Sequence, residues 1–154
     1  MRRSVQIVPS STLFFALSVG LFAAAPVATV TSTGAFELHG ATVRIEGVPS
    51  WPMMVGDDIR TTNAAAIIEF RDGSRVTLGE KSRAKVEKGE DGLVLRLLSG
   101  AMRFTIAPDS ALKAFNNDKP IAAPAGIPTT AATNGRVMVP NLEPRRPPPP
   151  PVSN

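Results

Sequence analysis

Two short alternating patterns on either side of an Asp-Gly pair constrain the fold more than any other feature. In the stretch AIIEFRDGSRVTLG (66–79), apolar and polar residues alternate before and after Asp72-Gly73-Ser74. Period-2 alternation around Asp-Gly is a strong hairpin signal, because glycine readily adopts the positive φ that such turns need. We therefore predict a hairpin in which Asp72, Gly73 and Ser74 form a structural turn, with Gly73 at positive φ and Asp72 capping the reversal.

Further strand patterns flank this hairpin, and glycine-bearing turns recur between them. They occupy residues 35–39, 41–46, 59–61, 84–87, 93–98 and 101–106. Such regular spacing is typical of all-β folds. We predict short antiparallel strands and hairpins in a small β-sandwich or β-roll, forming one domain over 29–115. The almost wholly apolar segment 93–98 should be its most buried strand.

Three segments of this domain do not have a strand pattern. Residues 29–33 are small and polar, which indicates a lead-in to the domain. Residues 47–52 contain two prolines and are predicted to form a loop. Trp51 in this loop is either a stacking platform for carbohydrate, and thus a binding residue, or a lid over the end of the core. Residues 108–115 could begin a helical turn at their proline.

The N-terminus has the pattern of an export signal. Arg2 and Arg3 precede a predominantly apolar run of 13 residues, 13–25. A positive segment followed by an apolar run of this length is typical of a signal peptide. We predict an apolar helix and assign residues 1–28 as a signal peptide or signal anchor.

The sequence leaves two outcomes open for this signal. Cleavage after Ala25 would place Pro26 just beyond the cut, where it is poorly tolerated, whereas cleavage after Ala28 would place Pro26 within the recognition site. An uncleaved anchor formed by 13–30 is the alternative, since this stretch approaches the ~20 residues of a membrane span.

The C-terminal segment 116–154 differs in composition from the domain. It holds ten of the 15 prolines, including Pro147–Pro151, and its apolar residues are mainly alanine. Such a composition is typical of a disordered, Pro-rich tail. The pentaproline is either a stiff spacer or a ligand for an aromatic groove. Residues 121–123 or 136–139 could add an edge strand.

Charge argues against a nucleic-acid partner. The formal net charge is +4, but residues 29–115 contain 11 Lys/Arg and 11 Asp/Glu, so the excess lies at the two ends. A nucleic-acid-binding domain generally carries a basic stripe. The chain has no cysteine, which excludes disulfides and a thiol nucleophile.

The residues that catalysis or metal binding would use are few. His39 is the single histidine. Asp57-Asp58 could be paired carboxylates or a Ca²⁺ site, but an Asx-type turn explains them without a metal. There is no phosphate-binding glycine loop. We therefore predict no cofactor, no metal site and no enzymatic activity; a hydrolase using Asp57, Asp58 and His39 is the weakest alternative.

The same turns and strands resemble the FecR domain family over about 43–106. The matching motifs are Gly56-Asp57, Ile59-Arg60-Thr61, Phe70-Arg71-Asp72-Gly73-Ser74, Val76-Thr77-Leu78, Ser82 to Val86 and Leu98-Ser99-Gly100-Ala101. Downstream, Ala123-Pro124-Ala125-Gly126 is a weak echo of the family's Thr-Pro-x-Gly segment.

The resemblance implies an extracytoplasmic all-β module. Iron-regulatory members relay a signal from a TonB-dependent outer-membrane transducer to a cytoplasmic sigma factor. Here only residues 1–12 precede the apolar run, which is too short for a sigma-binding domain. We therefore expect a stand-alone periplasmic protein, a binding or scaffold module for a cell-envelope protein or glycan that contacts the membrane only through its N-terminal segment. The alternative is a membrane-associated sensor or regulator related to sigma-factor signalling.

Overall fold

The structure is a computed structural model that describes residues 25–47, 50–134 and the backbone of 137–138. These residues form strands and loops and contain no helix. The strands are β1 (Ala28–Ser32), β2 (Phe36–Leu38), β3 (Ala41–Val43), β4 (Trp51–Met53), β5 (Asp58–Thr61), β6 (Ala66–Phe70), β7 (Arg75–Leu78), β8 (Arg83–Lys88), β9 (Leu93–Ser99), β10 (Ala101–Thr105), β11 (Lys113–Asn116), β12 (Lys119–Pro120), β13 (Thr129–Ala132) and β14 (Val137–Met138). The predicted all-β class is confirmed. The predicted N-terminal helix and the Pro-rich end of the tail lie outside the described residues.

The strands form two seven-stranded sheets that pack face to face. Sheet A has the order β14-β13-β10-β7-β6-β1-β4, and sheet B has the order β12-β11-β9-β8-β5-β2-β3. Neighbouring strands are antiparallel except for β9 and β11, which are parallel. The antiparallel prediction therefore holds for every described pair but that one.

A single apolar core lies between the two sheets. Sheet A contributes Val30, Ile68, Val76, Leu78, Met102 and Phe104, and sheet B contributes Phe36, Ile59, Val86, Leu95 and Leu97. Alternation places these side chains inward and polar ones outward. The prediction that 93–98 is the most buried strand is wrong, because Leu95 and Leu97 are buried whereas Leu93 and Leu98 are only half-buried.

Two segments predicted as loop or lead-in are strands. The lead-in at 29–33 is most of β1, which pairs with both β4 and β6. The loop predicted at 47–52 ends early, because Trp51 and Pro52 begin β4. β4 is an edge strand of sheet A. A proline is tolerated there, because its missing N–H does not remove a hydrogen bond to a neighbouring strand.

The helical turn predicted at 108–115 is also wrong. Lys113–Asn116 form β11, in which Ala114 is buried beside Leu112. Its hydrogen-bond partner is β9, and the two strands run in the same direction. The local sequence pattern does not predict this long-range pairing. The pairing determines the structure of the segment in place of the helical turn expected after Pro108.

The predicted boundary between domain and tail at 115/116 lies too early. β12 and β13 fall within the segment assigned to the tail. Ile121 and Ala131 are buried in the core, and the N–H of Gly126 donates to the carbonyl of Ile106 at 2.7 Å. The packed domain extends to at least Asn134.

The sandwich has two ends that are distinguished by their turns. The Asp72 end is the one at which β1 begins; it holds residues 25–27, 39–40, 54–57, 71–74 and 89–92. The Gly100 end holds residues 62–65, 79–82 and 99–100.

Candidate binding face on sheet B

The outer face of sheet B carries like-charged side chains directly opposite one another. Arg60 on β5 is the register partner of Arg83 on β8, and Lys85 on β8 is the register partner of Arg96 on β9. Like charges at facing positions of neighbouring strands are destabilising. We call these four residues the cation rows. On their other sides, Arg60 faces Glu37 and Lys85 faces Asp58 in the sheet register.

Carboxylates between the strands offset this repulsion. Asp58 accepts hydrogen bonds from Arg83, with Nη2 2.7 Å from Oδ2. Glu87 contacts Lys85 at 3.1 Å and Arg96 at 3.0 Å. Arg60 has the longest contact, with Nη1 3.9 Å from Oε2 of Glu37. The face thus combines fixed charges of both signs.

The pKa shifts on this face follow from the same contacts. The hydrogen bond and negative charge of Asp58 raise the pKa of the Arg83 guanidinium. Hydrogen bonds from Lys85 and Arg96 lower the pKa of Glu87 below its ordinary value. Arg83 and Glu87 therefore remain charged at neutral pH. Arg96 also lies over the ring of Phe115, 5.3 Å from its centroid, in a cation–π contact.

A groove of about 420 Å³ lies within this face near the Asp72 end. It is lined by Glu37, His39, Gly40, Gly56, Asp58, Arg60, Arg83 and Lys85. His39 and Asp58, two members of the weak hydrolase alternative, therefore meet here. The His39 side chain is 78% exposed, and its Nδ1 is 3.7 Å from Oδ1 of Asp57. Asp57 accepts the N–H of Met54 at 2.7 Å, so its carboxylate closes the 54–57 turn. The bond runs to a residue three positions earlier, which differs from the predicted Asx-type turn, where the side chain bonds the N–H two residues later.

The predicted turn residues lie away from this groove, at the tip of the β6–β7 hairpin. Gly73 has φ of 89°, and its N–H donates to the carbonyl of Phe70. Asp72 accepts the N–H of Ser74 at 2.8 Å. The turn is a three-residue loop, a type I turn followed by glycine, because Asp72 does not have positive φ.

Asp72 also connects the hairpin to a second loop. Its carboxylate accepts the hydroxyl hydrogen of Ser110. Burial by itself raises the pKa of Asp72, but the hydrogen bonds from Ser110 and Ser74 outweigh it, so the net pKa is lowered. Ser74 is buried, and its hydroxyl accepts the N–H of Ala107 at 3.0 Å. The whole triplet is structural.

A second buried polar cluster holds the Gly100 end, and sequence reasoning did not predict it. Ser82 donates its N–H to the hydroxyl of Thr61 at 2.9 Å, and its own hydroxyl accepts the N–H of Ala101 at 3.0 Å. Both side chains are buried. A hydroxyl residue at an inward position of the alternation is the signal that could have identified them.

Trp51, the predicted binding residue, lies at the rim of the core. Its register partner is Val30, which is fully buried, so the indole points between the sheets. It is half-buried and packs against the core cluster. The indole N–H is buried and has no hydrogen-bond partner among the described residues. This position fits the lid interpretation, and Trp51 lies outside the groove of sheet B.

The described residues provide neither a cluster of metal ligands nor a membrane-spanning helix. Residues 25–47 and 50–134 contain no group of three or more His, Asp or Glu side chains placed to hold a metal ion. No helix long and apolar enough to cross a membrane occurs in the described part of the chain.

Comparison with known proteins identifies one family. The model of the family described as FecR protein matches residues 57–134, half of the chain. The match confirms the resemblance and includes 123–126, where sequence reasoning found only a weak echo. Searches of curated proteins and of solved structures find no significant match to this chain.

Proposed function

Because the chain belongs to the FecR family, we propose that it is an exported, non-catalytic binding module of the cell envelope. Its binding surface is the outer face of sheet B. Its partner is an envelope protein that presents an acidic segment. Export is supported by the N-terminal pattern of Arg2 and Arg3 before residues 13–25.

The cation rows are the observation that carries this proposal. Two facing pairs of cations repel each other, and features that oppose stability locally are commonly kept for function. A carboxylate-bearing partner would relieve the repulsion. The neighbouring carboxylates Glu37, Asp58 and Glu87 hold the cations in fixed geometry and would reject partners of the wrong charge pattern.

Arg60 is the cation most available to a partner. Its side chain is 63% exposed, and its carboxylate contact, at 3.9 Å, is the longest of the face. Arg83 and Arg96 are less exposed and make shorter contacts. A partner's carboxylate can therefore bind Arg60 without first displacing a tight internal ion pair.

A co-sedimentation assay with a matched control tests the proposal. Arg75 on sheet A is an ideal control, because its side chain is also 63% exposed and also ion-paired, to Glu69. We expect the domain without the apolar run, residues 25–154, to be retained by outer-membrane vesicles that contain their proteins, and less so as salt rises. Arg60→Ala should lose retention and Arg75→Ala should keep it. Equal retention of the two variants would refute the assignment of this face.

Two further arms of the assay separate the alternatives. Isolated cell wall stripped of protein tests a glycan partner, and retention there instead of on vesicles would replace the protein partner with a glycan. Trp51→Ala tests the rim of the core. Loss of retention with an unchanged melting temperature would move the binding site from sheet B to Trp51.

Membership of the family supports a second candidate function, that of a membrane-associated sensor or regulator related to sigma-factor signalling. In that case deletion of the gene should change transcription of a defined set of genes. Complementation with Arg60→Ala should fail to restore it, whereas Arg75→Ala should succeed. Unchanged transcript levels after deletion would exclude this candidate.

A further inference from the structure

We infer that the exported protein keeps its N-terminal apolar segment and is tethered to the membrane by it, because a cut at one small-residue site would damage the sandwich and a proline obstructs the cut at the other. The inference rests on the proposed export. It decides between the cleaved signal and the uncleaved anchor through three residues, Pro26, Val27 and Ala28, whose positions the structure describes.

Cleavage after Ala28 would cut inside the sandwich. Ala28 is the first residue of β1, is 2% exposed, and lies between Met53 of β4 and Phe70 of β6 in the sheet register. A chain that began at Thr29 would lose the buried Ala28 side chain. The new charged N-terminus would replace a peptide unit between two neighbouring strands.

The same cut would also remove Val27, which is bonded on both sides. Its N–H donates to the carbonyl of Met53 at 2.8 Å, and its carbonyl accepts the N–H of Arg71 at 3.2 Å. Its side chain packs against the core. Removing 27–28 would therefore leave backbone groups of Met53 and Arg71 without their partners, which is costly where water is excluded.

Cleavage after Ala25 would preserve the sandwich but meets Pro26. The bond to be cut would then be the tertiary amide of a proline. Proline has no N–H to donate to a protease, and its ring fixes φ near −65°. A peptidase that binds its substrate as an extended strand through backbone hydrogen bonds loses one of them at this position. A product cut at the first site would lack groups that the sandwich needs, and the proline obstructs the cut at the second.

The tether leaves no long linker between the apolar run and the domain. Ala25, Pro26 and Val27 line an apolar groove of about 320 Å³ together with Phe70 and Leu93. The Asp72 end of the sandwich is therefore held next to the membrane. Val55, the exposed large apolar residue of the described chain at 44% exposure, lies in a turn at this same end.

Intact-mass measurement on the full chain, expressed with a C-terminal epitope in a bacterium, tests the inference. The wild type should be full-length and in the membrane fraction. Pro26→Ala should allow cleavage after Ala25, giving a soluble product that lacks residues 1–25. Adding Ala25→Leu to Pro26→Ala should remove the small residue before the cut and restore the full-length membrane form.

Each other result has a definite meaning. A wild-type product that begins at Pro26 or at Thr29 would overturn the inference, and a full-length Pro26→Ala protein would overturn the role of the proline. Protease digestion of spheroplasts reports export separately, because an exported epitope is degraded. A protected epitope would refute the proposed export itself, and the inference with it. Whether the signal is cleaved does not affect this result, so the two failures can be distinguished.

Discussion

Replacing Gly100 by alanine should destabilise the domain far more than the same change at Gly73. Both glycines have positive φ, 82° and 89°. A Cβ added at Gly100 would lie 2.1 Å from Oγ and 2.7 Å from Cα of Ser82, whereas one added at Gly73 would lie 3.8 Å from its nearest neighbour, the Cβ of Ala107. The two variants therefore share the backbone strain and differ in the steric overlap.

The magnitudes follow from these distances. Left-handed backbone costs an alanine roughly 1–2 kcal/mol, and the smaller entropy of the unfolded chain offsets about 0.4–1 kcal/mol. Gly73→Ala should therefore cost about 1 kcal/mol. Gly100→Ala adds overpacking of about 1–3 kcal/mol, because Ser82 is buried and its hydroxyl must keep the N–H of Ala101. Its total should be about 2–4 kcal/mol.

Urea denaturation followed by the fluorescence of Trp51, the single tryptophan, measures both values. The free energy of unfolding is the product of the slope m and the midpoint, so equal slopes make the midpoints directly comparable. Gly100→Ala should have the lower midpoint by a clear margin. Equal midpoints for the two variants would refute the argument from steric overlap with Ser82.

Three further predictions concern the Asp72 end and the domain boundary. Asp72→Asn should reduce stability at neutral pH; since the folded-state pKa is lowered, the difference from wild type should shrink as pH falls through that pKa, and a difference that persists in acid would contradict this. Ser74→Ala should cost about 1–3 kcal/mol by urea titration, because the N–H of Ala107 loses its acceptor; a Ser74→Thr variant that keeps the hydroxyl is the control. A chain that ends at Asn134 should melt cooperatively, whereas one that ends at Phe115 should not, and two equal melts would restore the earlier boundary.

Local patterns predicted the elements whose determinants are local. The hairpin at Asp72-Gly73 needs only alternation and a glycine at positive φ, and both are visible in the sequence. β11 was missed because its partner β9 is distant in sequence and parallel to it, so no turn joins the two. β4 was missed because Pro52 usually marks a loop, and the sequence does not say which strand will lie at an edge.

The candidate binding face could be predicted only in part from the sequence, because it too depends on contacts between distant strands. Alternation places Arg60, Arg83 and Lys85 on outward positions, so their exposure can be predicted from sequence. Their opposition cannot, because it depends on the register between strands, and a shift of one residue would turn every side chain to the other face. The equal numbers of basic and acidic residues over 29–115 also gave no sign of the cation rows. The carboxylates that contact these cations cancel their charge in the count.

The motifs that identify the family therefore describe how the sandwich is held together, and the proposed binding face is formed mostly by other residues. Asp72, Gly73 and Ser74 hold one end, and Ser82 with Gly100 holds the other. Substitution of these residues should act through stability. Arg60 lies inside a motif by position, but it points outward and makes one long contact, so its substitution should change binding with little change in stability. An Arg60→Ala protein that unfolded as readily as Gly100→Ala would contradict this separation of scaffold from binding face.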